Sequence, residues 1–214
     1  MEDKGLRPRR VEVIHNGVDL ETFSPVDRSP KPGEVDGMVH FVLPSRILPG
    51  KGQHLAIDAL ARLPRLHKAR AELHIVGAVT DQVYLDQIRV QAYNQPVYFH
   101  TDVPDIASYI QDADVVVFPS VMAEGFGFTA VEAMACGRPV IWSDQPAIRE
   151  ATAGIGIPVP VEDVGRLRQA MITLMDDDAA RADLGAEGRA HVESHCDWDL
   201  VWERYEAVLA GVMR

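Results

Sequence analysis

Two carboxylates, Glu124 and Glu132, bracket the run Gly125-Phe126-Gly127-Phe128-Thr129-Ala130-Val131. The run follows the apolar stretch Val115–Phe118 and leads into a helix-like stretch at residues 130–136. This order predicts a strand-to-helix turn. Such a turn aims free backbone N–H groups and the positive end of a helix dipole at whatever lies above it. That suits phosphate, whereas ionised carboxylates, which only accept hydrogen bonds, suit hydroxyls. A ligand that carries both is a sugar nucleotide. Glu132 lies among Ala130, Val131, Ala133 and Met134, so its helix is expected to be largely buried. An unpaired Glu there is costly, which points to a hydroxyl or cation partner.

These residues need a scaffold, and the chain supplies a regular alternation. Short apolar runs at 39–43, 71–76, 96–100, 114–118 and 139–142 read as strands, and 154–161 as a loop with a short edge strand. Helical patterns fall between them at 53–63, 81–92, 106–111 and 129–136. Three more end the chain near 164–175, 179–195 and 199–212. The alternation predicts βαβ units, hence an α/β, doubly wound parallel sheet covered on both faces. Ligands of such sheets bind beyond the carboxyl ends of the strands. Both chemistry-bearing loops, 45–52 and 120–128, fall there. Residues 1–38 do not fit the pattern. Val11-Glu12-Val13-Ile14 reads as a strand, His15-Asn16-Gly17-Val18-Asp19 as a turn, and Ser29-Pro30-Lys31-Pro32-Gly33 as a loop.

At 214 residues the chain holds one large domain, or one with extensions. Hydrophobic content of 47% and charged content of 25% suit a soluble protein with a real core. A net charge of −11 argues against a nucleic-acid footprint, which needs a basic face. The basic cluster Lys4, Arg7, Arg9, Arg10 reads as a solvated tail. Cys136 and Cys196 form no Cys-x-x-Cys pair and read as reduced thiols, which suggests a cytoplasmic protein. Neither a signal peptide nor a membrane-length apolar run is visible.

Three motifs resemble the C-terminal half of retaining GT-B glycosyltransferases of the large group often called family 4. They are Asn16-Gly17-Val18-Asp19 with Phe23 and Pro25, Ser45-Arg46-Ile47-Leu48 with Lys51-Gly52, and Pro119-Ser120 through Glu124-Gly125-Phe126-Gly127 to Glu132-Ala133-Met134-Ala135, Gly137 and Pro139-Val140. The tail from Trp198 to Tyr205 resembles the closing helix of that fold. The resemblance implies a Rossmann-like donor-binding domain at 39–214, with 1–38 as the linker from an N-terminal acceptor domain or partner subunit outside this chain. Peripheral membrane association would come through that other half.

By the same resemblance, Arg46 and Lys51 hold the diphosphate of a nucleoside-diphosphate sugar, completed by the N–H groups of Phe128 and Thr129. Glu124 and the backbone of Gly125, Phe126, Gly127 and Phe128 orient the sugar, and Glu132 accepts from the ribose diol. Donor contacts are also assigned to Gly50, Ser120 and Val103. Neither a cofactor nor a metal is expected. Two loops depart from the family pattern. Asp144-Gln145-Pro146-Ala147 stands where a glycine pair is common, and His100-Thr101-Asp102-Val103 where a glycine often follows the strand.

Asp112-Ala113-Asp114 and Asp197-Trp198-Asp199 imitate a metal-binding Asp-x-Asp but read as a helix-to-strand junction and a helix cap. The eight histidines show no zinc-ligand spacing. Other functions remain to be weighed: a non-catalytic nucleotide-sugar-binding module, a sugar-nucleotide epimerase of the same fold, or a nicotinamide enzyme. For the last, Gly125 to Ala130 spells Gly-x-Gly-x-x-Ala, with Asp144 placed for a ribose. Against it, residues 119–124 separate the strand from the first glycine, where a dinucleotide turn is tight.

Overall fold

Beyond residue 38 every strand expected from the sequence forms, and all six pair in parallel. The computed structural model describes residues 11–26 and 37–212. Strands β1 (Val39–Pro44), β2 (Ala71–Gly77), β3 (Val97–Thr101), β4 (Val115–Phe118), β5 (Val140–Ser143) and β6 (Ile157–Val159) lie in the order β3-β2-β1-β4-β5-β6. The helices are α1 (Gln53–Ala61), α2 (Arg65–Lys68), α3 (Gln82–Gln91), α4 (Ile106–Asp112), α5 (Phe128–Ala135), α6 (Pro146–Ala151), α7 (Val164–Asp176), α8 (Asp178–His195) and α9 (Trp198–Val212).

Successive strand side chains point to opposite faces, so a sheet covered on both sides needs apolar residues at nearly every position. Val115, Val116, Val117 and Phe118 meet that demand and are all buried. Phe41, Leu43, Leu73 and Ile75 face a core completed by Ile57, Leu60, Leu85, Ile88 and Met171. Val42, Val76, Val116 and Phe118 face a second core with Val131, Met134, Ile148 and Val192. The sheet thus forms a rigid frame, and the loops at its carboxyl edge are free to vary.

The leading segment differs from expectation. Residues 11–14 form no strand. Instead the segment docks on the last two helices, where the Val18 N–H donates to the Cys196 carbonyl at 2.7 Å. A Cβ on Gly17 would lie 2.8 Å from Trp198, so only glycine lets the chain pass there. The expected loop at 29–33 and the basic cluster at 4–10 lie outside the described residues. No helix among the described residues is long and apolar enough to cross a membrane.

Candidate functional site

Strand order reverses between β1 and β4, so their following loops diverge and open a crevice at the carboxyl edge. The β1 loop carries Arg46 and then a 3-10 turn, Pro49–Lys51. Gly52 closes that turn at φ 73°. A Cβ on Gly52 would stand 2.0 Å from the Pro119 carbonyl oxygen, so any side chain there would force the two loops apart. The Gly50 carbonyl accepts from the N–H groups of Val121 and Met122 at 2.9 and 3.0 Å. These contacts clamp the β1 loop to the β4 loop.

Across this clamp, Lys51 Nζ lies 2.6 Å from Glu124 Oε1, with the two side chains 13% and 12% exposed. The Ser120 hydroxyl donates to the same carboxylate oxygen. The Lys51 ammonium also stands 5.6 Å from the centre of the Phe118 ring. Gln145 fixes the Glu124 main chain. Its Oε1 accepts from the Glu124 N–H at 3.1 Å, and its Nε2 donates to the carbonyls of Ser120 and Met122 at 2.8 and 3.1 Å. Arg46, in contrast, is exposed, and its guanidinium has no counter-ion or acceptor among the described residues.

The start of α5 is also unpaired. Five other helices open on Asp caps: Asp81, Asp105, Asp163, Asp177 and Asp197 each accept from a first-turn N–H. Helix α5 opens on Gly127 at φ 98°, which has no side chain to cap it. The N–H groups of Phe128 and Thr129 find no acceptor among the described residues. The Thr129 hydroxyl donates to the Pro44 carbonyl at 3.2 Å, tying the helix start to the end of β1.

Arg46, Lys51, Phe118, Glu124, the turn from Gly125 to Thr129, and Asn16 line one open cleft of ≈ 440 Å³. Its lining combines the free guanidinium and the bare helix start with a neutralised Lys–Glu pair. Glu132 lies one turn along α5 from Phe128, on the same helix face. Burial pushes its carboxyl up to about 7. No hydrogen-bond or cation partner reaches that carboxylate among the described residues.

Four assigned donor contacts, Gly50, Ser120, Val103 and Glu132, do not line the cleft. Ser120 is fully buried, and its hydroxyl serves Glu124 and nearby carbonyls. Val103 packs against the second core. Gly50 works through its carbonyl in the loop clamp. Sequence reasoning missed three residues that shape the site. Asn16 reaches it from the leading segment, where it read only as a turn residue. Phe118 read as core, and Gln145 as part of an unusual loop. No local spacing marks Gln145, whose partners lie more than 20 residues away.

The competing acidic motifs are accounted for. Asp144 is gripped by Arg149 at 2.6 Å. Asp114 accepts from the His40 N–H at 2.7 Å, at the amino end of the strands and away from the cleft. Asp197 accepts from the Asp199 N–H at 3.1 Å, as a cap does. Cys136 and Cys196 are free and buried, and burial pushes the Cys136 thiol up to about 12.

A family model described as "Glycosyl transferases group 1" matches residues 39–177. A GDP-mannose-dependent monoacylated alpha-(1-6)-phosphatidylinositol monomannoside mannosyltransferase of Corynebacterium glutamicum is 33% identical, over 95% of this chain and 57% of its own length. A D-inositol 3-phosphate glycosyltransferase of Catenulispora acidiphila is 32% identical, over 95% of this chain and 52% of its own. Among solved structures, Anabaena HepE in complex with UDP and glucose superposes with a TM-score of 0.83 at 25% identity, covering 94% of this chain and 57% of its own. The chain spans about half the length of the curated relatives it matches.

Proposed function

This chain belongs to the glycosyl transferases of group 1, and from that premise we propose that it is the donor-binding half of a retaining, metal-independent glycosyltransferase. The carrying observation is the convergence of an unpaired Arg46 and two unpaired α5 N–H groups on one cleft, facing a carboxylate fixed by Lys51, Ser120 and Gln145. The donor is a nucleoside-diphosphate hexose. A GDP-dependent relative and a UDP-bound structural neighbour make these the first two bases to test.

Glycosyl transfer expels the nucleoside diphosphate, and negative charge grows on its phosphate as the C1–O bond breaks. Arg46, Lys51 and the Phe128 and Thr129 N–H groups supply preorganised donors for that charge. The Glu124 carboxylate and the Gly125-Phe126-Gly127 backbone hold the sugar hydroxyls, and Glu132 accepts from the ribose. The acceptor oxygen bonds to C1 on the face the phosphate leaves, and its proton passes to a departing phosphate oxygen. No protein nucleophile is needed.

The acceptor, a glycan or a lipid-linked hydroxyl, binds a second half outside this chain. Trp198, Trp202, Tyr205 and Leu209 expose one apolar stripe along α9, which that half covers. The reading includes a cytoplasmic location, in keeping with two free buried thiols.

The test is nucleoside-diphosphate binding by Arg46→Ala and Lys51→Ala. Each loses a charge-assisted contact of about 1.5–3 kcal/mol, or roughly 10–100-fold in affinity, while the bare nucleoside binds as before. Unchanged diphosphate affinity in both variants would remove them from the donor site.

A further inference from the structure

On the sheet face that packs against α4, at the amino edge of the strands, three side chains from two strands meet. His40 Nδ1 lies 3.4 Å from His74 Nε2 and 3.6 Å from Glu72 Oε2. His74 Nε2 lies 3.3 Å from the same carboxylate oxygen. These separations form a nearly equilateral triangle. A tetrahedral ion with bonds of about 2.0–2.1 Å to nitrogen and oxygen needs ligand atoms roughly 3.3–3.4 Å apart. We propose that His40, His74 and Glu72 form a binding site for a divalent transition-metal ion of the zinc class, distinct from the donor cleft.

The surroundings are those of a metal site rather than of a chance cluster. Ligating histidines almost always pass their second ring N–H to an acceptor, and ligating carboxylates are themselves hydrogen-bonded. His74 Nδ1 lies 3.0 Å from His100 Nε2, and His100 Nδ1 lies 3.4 Å from the Tyr109 hydroxyl. With Nε2 of His74 on the ion, its Nδ1–H donates to His100. The Nδ1–H of His100 then donates to Tyr109. The Tyr98 hydroxyl donates to Glu72 Oε1 at 3.3 Å, leaving Oε2 for the ion.

The three side chains are 19–24% exposed, so an ion can enter. A hollow of ≈ 170 Å³ beside the two histidines, bounded also by Val42, His100, Tyr109 and Asp112, leaves room for water as a fourth ligand. Two His and one carboxylate with an open position suit Zn²⁺ better than Mg²⁺ or Ca²⁺, which prefer all-oxygen sets.

His40 precedes Ser45, where the cleft loop begins, by five residues, about 16 Å along an extended strand. The ion therefore staples β1 to β2 and takes no part in transfer. Sequence spacing does not show the site, because strand register, not local sequence, brings it together: His40 pairs with Glu72, and Val42 with His74.

The experiment is Co²⁺ and Zn²⁺ titration of the metal-stripped 214-residue chain, read by visible absorption and by competition with a chromogenic chelator. Expected is one equivalent of Co²⁺ with the intense bands of low-coordinate geometry, displaced by Zn²⁺. His74→Gln and Glu72→Gln weaken that binding by about 100-fold, and Tyr98→Phe by roughly tenfold. Cooperative thermal unfolding of each variant checks its fold. If His74→Gln does not fold, Glu72→Gln and Tyr98→Phe decide. Absence of saturable binding overturns the proposal. So does undiminished binding in the folded variants, which would move the ion elsewhere, as to the stacked His191 and His195 pair.

Discussion

Lys51 and Glu124 neutralise each other at 2.6 Å, so the free positive field of the cleft comes from Arg46 and the α5 start. In the proposed reading, an incoming diphosphate shares Lys51 with Glu124 and is held near the sugar by the same pair. Glu132 has the opposite problem, being half-buried without a partner among the described residues. Its carboxyl, pushed up to about 7 from an ordinary 4.5, keeps a proton in the folded chain that the unfolded chain has lost. Between those two values stability therefore falls as pH rises, and the loss is complete above about 7. Glu132→Gln removes that slope. The variant is expected to exceed the parent by about 1–3 kcal/mol at pH 8, with the gap shrinking toward pH 5, in urea unfolding of the ligand-free protein. A pH-independent gap would mean that Glu132 is not the titrating group. If Glu132 accepts from the ribose diol, the same variant weakens binding of ribonucleotides and leaves the 2′-deoxy forms nearly unaffected.

At the scale of elements, the β4 loop depends on a residue in the next βα unit. Gln145 spends both ends of its amide on Ser120, Met122 and Glu124, and is itself buried. Gln145→Ala leaves buried carbonyls without a donor, at a cost of about 1–3 kcal/mol in urea unfolding. It also loosens Glu124, so nucleotide-sugar affinity falls more than nucleoside affinity. Stability equal to the parent's would show that the loop is held otherwise. The sequence reveals the strands because both faces are buried, as the unbroken run Val115–Phe118 shows. It hides α2, whose four residues are too few for periodicity. It also hides α6, although Pro146 at its first turn is a helix-start signal. The Glu-x7-Glu turn is legible because its chemistry is local. Gln145 and the His40, Glu72, His74 group are not, because register and loop packing, rather than spacing, bring them together.

At the scale of the whole molecule, the strand order puts the β1 and β4 loops side by side, and everything argued for the cleft follows from that switch point. The leading segment extends the cleft through Asn16 and docks beneath Trp198. The central claim is that this half alone carries a nucleoside-diphosphate site. Calorimetric titration of the 214-residue chain with UDP, GDP, ADP and NAD, with and without EDTA, tests it most directly. The account predicts saturable binding of one nucleoside diphosphate, unchanged by EDTA and weakened in Lys51→Ala. Binding of NAD alone, or of no nucleoside diphosphate at all, would contradict it.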